Sequence, residues 1–203
     1  MTIDVGTGDG RAVLAAAASH PRTLAIGLDA NAAAMAEVSR RAAKPSWKGG
    51  TPNAVFVLAA AEAPPAELAG IASQVSVQFP WGSLLRGCLG ADPAVAAGVA
   101  GLVAPAGSLD LLLALSAKDG LDGLPTEPAR VIDAAVRAFA EFGLELVEGR
   151  LATPGEVRAS GSTWARRLGT ARAAADGRWP VAAAASPTER EVTLLRLVRA
   201  GPR

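Results

Sequence analysis

The sequence predicts an α/β fold built on a Rossmann-like, seven-stranded, mostly parallel sheet flanked by helices, and three observations predict it. Apolar runs of strand length alternate with longer segments of helical period; Gly, Pro or Asp punctuates the joins; a glycine-rich turn closes the first apolar run. The 203 residues carry 20 Lys and Arg, 19 Asp and Glu and one His, a formal charge of +1, and half are hydrophobic. Such a composition suits one globular domain, 1–203, and not a disordered chain.

The elements follow in order. Strands are expected over Thr2–Val5, Thr23–Leu28, Ala54–Leu58, Val75–Phe79, Leu109–Leu115, Leu144–Leu151 and Glu191–Val198, each an apolar run between polar or glycine-containing joins. Helices are expected over Arg11–Ser19, Asn31–Ala43, Pro93–Val103 and Pro128–Phe142, with Asp92 and Thr126 as N-terminal caps and Gly143 as a C-terminal stop. The Ala-rich stretches are good helix formers that allow close packing on a sheet. The stretch 153–187 is the least regular, with Pro154, Gly155, Gly161, Gly177 and Pro187 around a short helix predicted over Thr163–Ala174. A long insertion before a last strand is more often functional than filler.

Several classes of function are excluded. One cysteine, Cys88, makes no intramolecular disulfide, and one His without a Cys-x-x-Cys pair leaves no zinc ligand set, so no metal is expected. No apolar stretch approaches the length of a membrane span, and the N-terminus lacks the basic and apolar regions of a signal peptide, so a reducing, cytoplasmic setting and no membrane partner are expected. His20, just before Pro21 at a helix end, reads as a solvent-facing or capping residue.

The string Asp4-Val5-Gly6-Thr7-Gly8-Asp9-Gly10 ends the first strand and opens the first helix. Gly6, Gly8 and Gly10 let the backbone turn sharply and bring a ligand close to helix N-terminal N–H groups. A dinucleotide fingerprint places its third glycine one residue later, over a pyrophosphate. Here Asp4 and Asp9 would repel pyrophosphate but accept hydrogen bonds from an ammonium group, which S-adenosylmethionine carries beside its sulfonium. Asp29, 19 residues after Gly10 at the end of the second strand, is placed to accept from ribose hydroxyls. Ala61 and Glu62 follow the third strand and are placed near an adenine; Pro80, Trp81 and Ser83 follow the fourth, where methyl donor and acceptor would meet. The fold expected is therefore that of a class I S-adenosylmethionine-dependent methyltransferase.

Two stretches are locally basic: Arg40, Arg41, Lys44 and Lys48, and then Arg158, Arg166, Arg167, Arg172 and Arg178. Solvated helix faces explain many such runs. Aromatic residues form only 4% of the chain, yet four are Trp (Trp47, Trp81, Trp164 and Trp179), none in an expected strand. Stacking platforms for a base would explain some of them.

The strings Asp4–Gly10, Lys44-Pro45-Ser46-Trp47-Lys48-Gly49-Gly50, Phe79-Pro80-Trp81-Gly82-Ser83-Leu84-Leu85-Arg86-Gly87 and Ser162-Thr163-Trp164-Ala165-Arg166-Arg167-Leu168 resemble the 16S rRNA adenine-N1 methyltransferases that confer resistance to kanamycin and apramycin. The resemblance implies methyl transfer to N1 of adenine 1408 in the decoding A site of the 30S subunit, with S-adenosylhomocysteine as product; a monomer is expected. It implies that Trp81 and Trp164 sandwich a flipped base and that Asp29 and Glu62 hold the cofactor. Ser162, Arg167 and Arg172 would support the flipped nucleotide, and Arg40, Arg41, Lys44, Lys48 and Arg166 belong with the rRNA contacts. Trp47 stands as an extra residue in the Lys-Pro-Ser-Lys-Gly-Gly linker, and it and Trp179 receive no role. The alternatives are a methyltransferase acting on another RNA or a small molecule, and a cofactor-binding homologue without catalysis.

Overall fold

Strand β1 (Thr2–Val5) enters the middle of a sheet whose order is β3-β2-β1-β4-β5-β7-β6, made with β2 (Ala25–Asp29), β3 (Ala54–Leu58), β4 (Ala72–Gln78), β5 (Val103–Ala114), β6 (Leu144–Leu151) and β7 (Val192–Arg199). The structure is a computed structural model and describes residues 1–115, 123–163, 165 and 191–201. Strand β7 runs antiparallel to β5 and β6 and the other pairs are parallel, so the sheet is mostly parallel, as predicted. Six helices accompany the strands in the described residues: α1 (Arg11–Ser19), α2 (Ala32–Ala42), α3 (Gly82–Cys88), α4 (Pro93–Gly101), α5 (Pro128–Ala140) and α6 (Pro154–Ala159).

Alternation along the strands makes the core. Ile3 and Val5, Val75 and Val77, Leu109, Leu111 and Leu113, and Leu195 and Leu197 are all buried in one cluster with Val95 and Val99 of α4 and Phe139 of α5. Burying each such side chain contributes roughly 1.5–3 kcal/mol. A second cluster joins Val13 and Ala17 of α1 to Met35 and Val38 of α2 and to Ala25 and Ala54 of the sheet. Cys88 is a buried apolar helix residue whose thiol burial pushes up to about 12, which makes it inert. His20 caps the C-terminus of α1, exposed, with Nδ1 3.2 Å from the Ala16 carbonyl.

Some boundaries differ from expectation for physical reasons. The cap of α5 is Glu127, not Thr126: Pro128 occupies the first helical turn and holds the residue before it extended, where the Glu127 carboxylate accepts from the Ala129 and Arg130 N–H groups. Strand β5 begins at Val103, well before Leu109, because an irregularity at left-handed Ala106 absorbs Pro105 and Gly107, which read as a turn. Helices α3 and α6, of seven and six residues, are too short to show a helical period and were not expected. Helix α4 starts as predicted, with Asp92 accepting from Ala94 and Val95. Of the helix expected over Thr163–Ala174, Thr163 and Ala165 are helical and the remainder lies outside the described residues.

Candidate active site

Because β1, β2, β3 and β4 are parallel, their C-terminal ends meet on one edge of the sheet, and the order reverses between β1 and β4. A cleft of about 540 Å³ lies there, bounded by the loops that follow all four strands and by Ser162 and Thr163. Every cofactor residue expected from the sequence lines it except Gly10, which lies buried behind it.

The glycine loop is built by backbone. Gly6 and Thr7 donate to the Leu28 carbonyl at 2.8 and 3.2 Å, and Gly10 caps α1 in the left-handed region. Gly8 has φ +57° and a β-carbon there would meet nothing within 4 Å, so the position faces open space in a conformation that favours glycine. The Asp29 carboxylate accepts from the Gly8 N–H at 2.7 Å and from the Asn31 N–H at 2.8 Å. It therefore clamps the loop to the end of β2, and each oxygen keeps acceptor capacity for a further donor. Asp9 is otherwise engaged than the sequence suggested: Thr163 Oγ1 donates to it at 2.8 Å, and the Arg11 N–H and guanidinium lie at 3.3 and 3.5 Å. Its carboxylate ties the glycine loop to Thr163 while it also lines the cleft.

Asp4 forms the floor. Ser76 of β4 donates to its Oδ1 at 2.6 Å across the β1–β4 pair. Burial raises its pKa to about 6, opposed by the Ser76 and Thr7 hydroxyls and reinforced by the Asp29 charge. The Thr7 hydroxyl stands close enough to Asp4 to favour its anion, yet Thr7 Oγ1 meets hydrogen-bonding geometry with no described residue; Gln78 Oε1 is likewise buried and without a partner among the described residues. Both residues line the cleft, and such groups need a partner. Acidic Asp4, Asp29 and Glu62, two unpaired polar atoms and an open glycine fit a cationic nucleoside with hydroxyls and no phosphate, which is the chemistry of S-adenosylmethionine.

The far wall comes from β4. Phe79 leaves the strand at φ +51°, a conformation that costs a residue with a β-carbon, and this turns Pro80 and Trp81 to the cleft. Trp81, 43% exposed, caps α3, and Ser83 stands in its first turn. Phe79 is packed in a small cluster with Val157 of α6, Val192 of β7 and Ala165. Thus Thr163 is bonded to the glycine loop while Ala165 packs beside the Trp81 turn. Trp164, Arg166, Arg167, Arg172 and Trp179 lie outside the described residues.

Sequence reasoning missed Ser76, Gln78 and Gly98. The first two carried a signal, polar residues alternating with Val75 and Val77. Gly98 carried none: a β-carbon there would collide with the Ala61 carbonyl oxygen, so α4 needs glycine to seat the loop that bears Glu62. Arg40, Arg41, Lys44 and Lys48 are not brought to the cleft. They surround the connection from α2 to β3, at the opposite edge of the sheet, about 16 Å away along β3 at strand rise.

Fold and cleft together define a class I S-adenosylmethionine-dependent methyltransferase. The family model of NpmA, 16S rRNA (adenine(1408)-N(1))-methyltransferase, matches residues 1–180. The chain belongs to that family. It is 36% identical over 177 residues to the 16S rRNA (adenine(1408)-N(1))-methyltransferase of Streptoalloteichus tenebrarius, covering 85% of this chain and 81% of that one. A crystal structure of a mutant of the corresponding enzyme from Catenulisporales acidiphilia, with cosubstrate SAM, superposes with a TM-score of 0.79 at 31% identity, covering 100% of this chain and 86% of that one. The 16S rRNA methyltransferase KamB superposes at 0.77 with 32% identity, covering 98% and 87%. Among the described residues no group of three or more His, Cys, Asp or Glu could hold a metal, and no helix is long and apolar enough to cross a membrane.

Proposed function

We propose that this chain, a single methyltransferase domain with an insertion over 153–187, methylates N1 of adenine 1408 in the decoding A site of 16S rRNA within the 30S subunit. It acts as a cytoplasmic monomer and gives aminoglycoside resistance. The observation that carries this reading is the junction of an acidic cofactor cleft with the Pro80-Trp81 turn, against which Ala165, next to Trp164, is packed.

Bound S-adenosylmethionine supplies an electrophilic methyl group on a sulfonium. Asp4 holds the ammonium end, Asp29 the ribose hydroxyls and Glu62 the adenine end. Adenine N1 has a free lone pair, so no residue has to remove a proton, and the methylated base is a cation. The chain's task is positioning, with Trp81 and Trp164 stacked on a flipped base and their faces stabilising the charge that develops on it. Base flipping costs a few kcal/mol, and stacking at roughly 1–3 kcal/mol per base offsets it. Ser162, Arg167 and Arg172 support the extruded nucleotide, and Arg166 joins the basic residues that meet phosphate.

Primer extension tests the reading, because N1 methylation blocks the pairing edge and stops reverse transcriptase. Incubation with S-adenosylmethionine should place a stop at adenine 1408 in intact 30S subunits. Cofactor binding without a stop in either subunits or naked 16S rRNA would sink the assignment and favour another acceptor.

A further inference from the structure

Trp47 is 80% exposed, in a chain that has only eight aromatic residues and no Tyr. A Trp that buried apolar surface would earn its place by packing; this one stays open, and among the described residues Lys48 Nζ stands over it, 4.6 Å from the ring centroid. It is also held in place. A 3-10 turn over Ser46–Lys48 carries it, closed by Lys48 N–H to the Pro45 carbonyl at 2.8 Å and Gly49 N–H to the Ser46 carbonyl at 3.0 Å. Gly50 N–H to Pro45 and Thr51 N–H to Ala42, at 3.1 and 3.0 Å, bind the turn back to α2. A β-carbon on Gly50 would collide with the Lys44 carbonyl oxygen, so the turn can be made only with glycine there. Pro45, Gly49 and Gly50 thus build a stiff mount for an exposed indole.

The surroundings select the partner. Arg40, Arg41, Lys44 and Lys48 are exposed, and none forms an ion pair with a described residue. Glu37 is the only acid between Asp29 and Glu62. Arg40 serves α2, its Nε donating to the Ala36 carbonyl, but Lys44 and Lys48 lie beyond the helix and have no such duty. A flat, rigid aromatic face among cations that no described carboxylate neutralises matches a polyanion that carries flat bases.

We propose that Trp47 stacks on an exposed base of ribosomal RNA, at a contact separate from the reacting adenine, while Lys44 and Lys48 meet the flanking phosphates. This rests on the rRNA reading above. The contact adds a salt-insensitive part to binding by a face whose other groups act through charge.

The test measures 30S affinity of the full chain across a salt series. Trp47→Ala should weaken binding about tenfold with an unchanged salt slope, Trp47→Phe should restore most of the affinity, and both should melt with the parent. Lys44→Ala and Lys48→Ala should each lower the salt slope by about one. Parent-like binding by Trp47→Ala overturns the proposal; if the lysine variants still weaken, the rRNA reading stands without it. Failure of the parent chain itself to bind subunits overturns both. A photoreactive phenylalanine analogue at position 47 that cross-links to rRNA supports the proposal, and cross-linking to a ribosomal protein instead rejects it.

Discussion

The donor half of the site and the acceptor half are held by different means. Around the cofactor cleft, short-range backbone bonds fix the geometry: Gly6 and Thr7 to Leu28, Gly8 to Asp29, and Ala59 N–H to the Asp29 carbonyl at 3.1 Å. The acceptor half is attached by side chains far apart in sequence, Thr163 to Asp9 and Ala165 to Phe79, on a stem formed by α6. A small ligand of constant shape can be met by a preformed backbone cradle. In the function proposed, the nucleotide drawn from a folded RNA meets instead an insertion whose described residues are anchored at a few points.

If the two halves are separable, substitutions should divide accordingly. Gly98→Ala should have the largest effect, because the added β-carbon collides with the Ala61 backbone and displaces the Glu62 loop. Overpacking of this kind costs about 1–3 kcal/mol, so calorimetry should show cofactor affinity down by roughly tenfold to a hundredfold. Trp81→Ala should do the opposite, lowering methylation of 30S subunits about tenfold while cofactor affinity stays near the parent value. A parallel fall in cofactor affinity would make Trp81 part of the donor half.

The same division explains what was legible in the sequence. The glycine loop and Glu62 follow strands and Asp29 ends one, so recognising the strands along the chain placed the donor half, and the strand limits of β1, β3 and β6 are as read. Trp81 was legible for the same reason. Gly98 was not, since its role arises from contact between α4 and a loop 37 residues earlier, which no local pattern encodes. Nor was the Asp9–Thr163 bond, which spans 154 positions. The basic stretch Arg40–Lys48 was legible as charge but not as place, because position along a strand, not sequence proximity, decides which edge of the sheet a turn occupies.

Asp4 sharpens the electrostatic side of the comparison. Burial raises its pKa to about 6, so an anion able to hold the cofactor's ammonium is mostly lost below that pH. Cofactor affinity should therefore be highest above pH 7 and about fourfold lower at pH 5.5. Asp4→Asn should bind weakly and lose this dependence. For folding the sign is reversed: the burial cost is absent while Asp4 stays protonated in both states and is fully felt once pH exceeds about 6. Stacking on Trp81 has no such titration, so the pH profile of base engagement at saturating cofactor should be flat over the same range.

The smallest effect is expected at the stem. Arg150 grips Glu156 through two bonds, at 2.6 and 2.8 Å, while Thr153 and Glu156 complete a reciprocal capping box at the start of α6. The Arg150 guanidinium and the Thr153 N–H hold the Glu156 carboxyl well below the usual carboxylate range, near 2. Its contribution to stability is thus complete above the unfolded value of 4.5 and disappears as pH falls toward 2. The pair is half open to solvent, so Glu156→Gln should lower Tm by only about 1 to 2 °C at pH 7, and by less at pH 3. What it should change more is placement of the acceptor segment. Methylation at limiting 30S should fall while cofactor affinity is untouched, because α6 fixes where Ser162 and Thr163 begin. Loss of cofactor affinity in Glu156→Gln would show that the stem braces both halves, and that the division between them is not energetic.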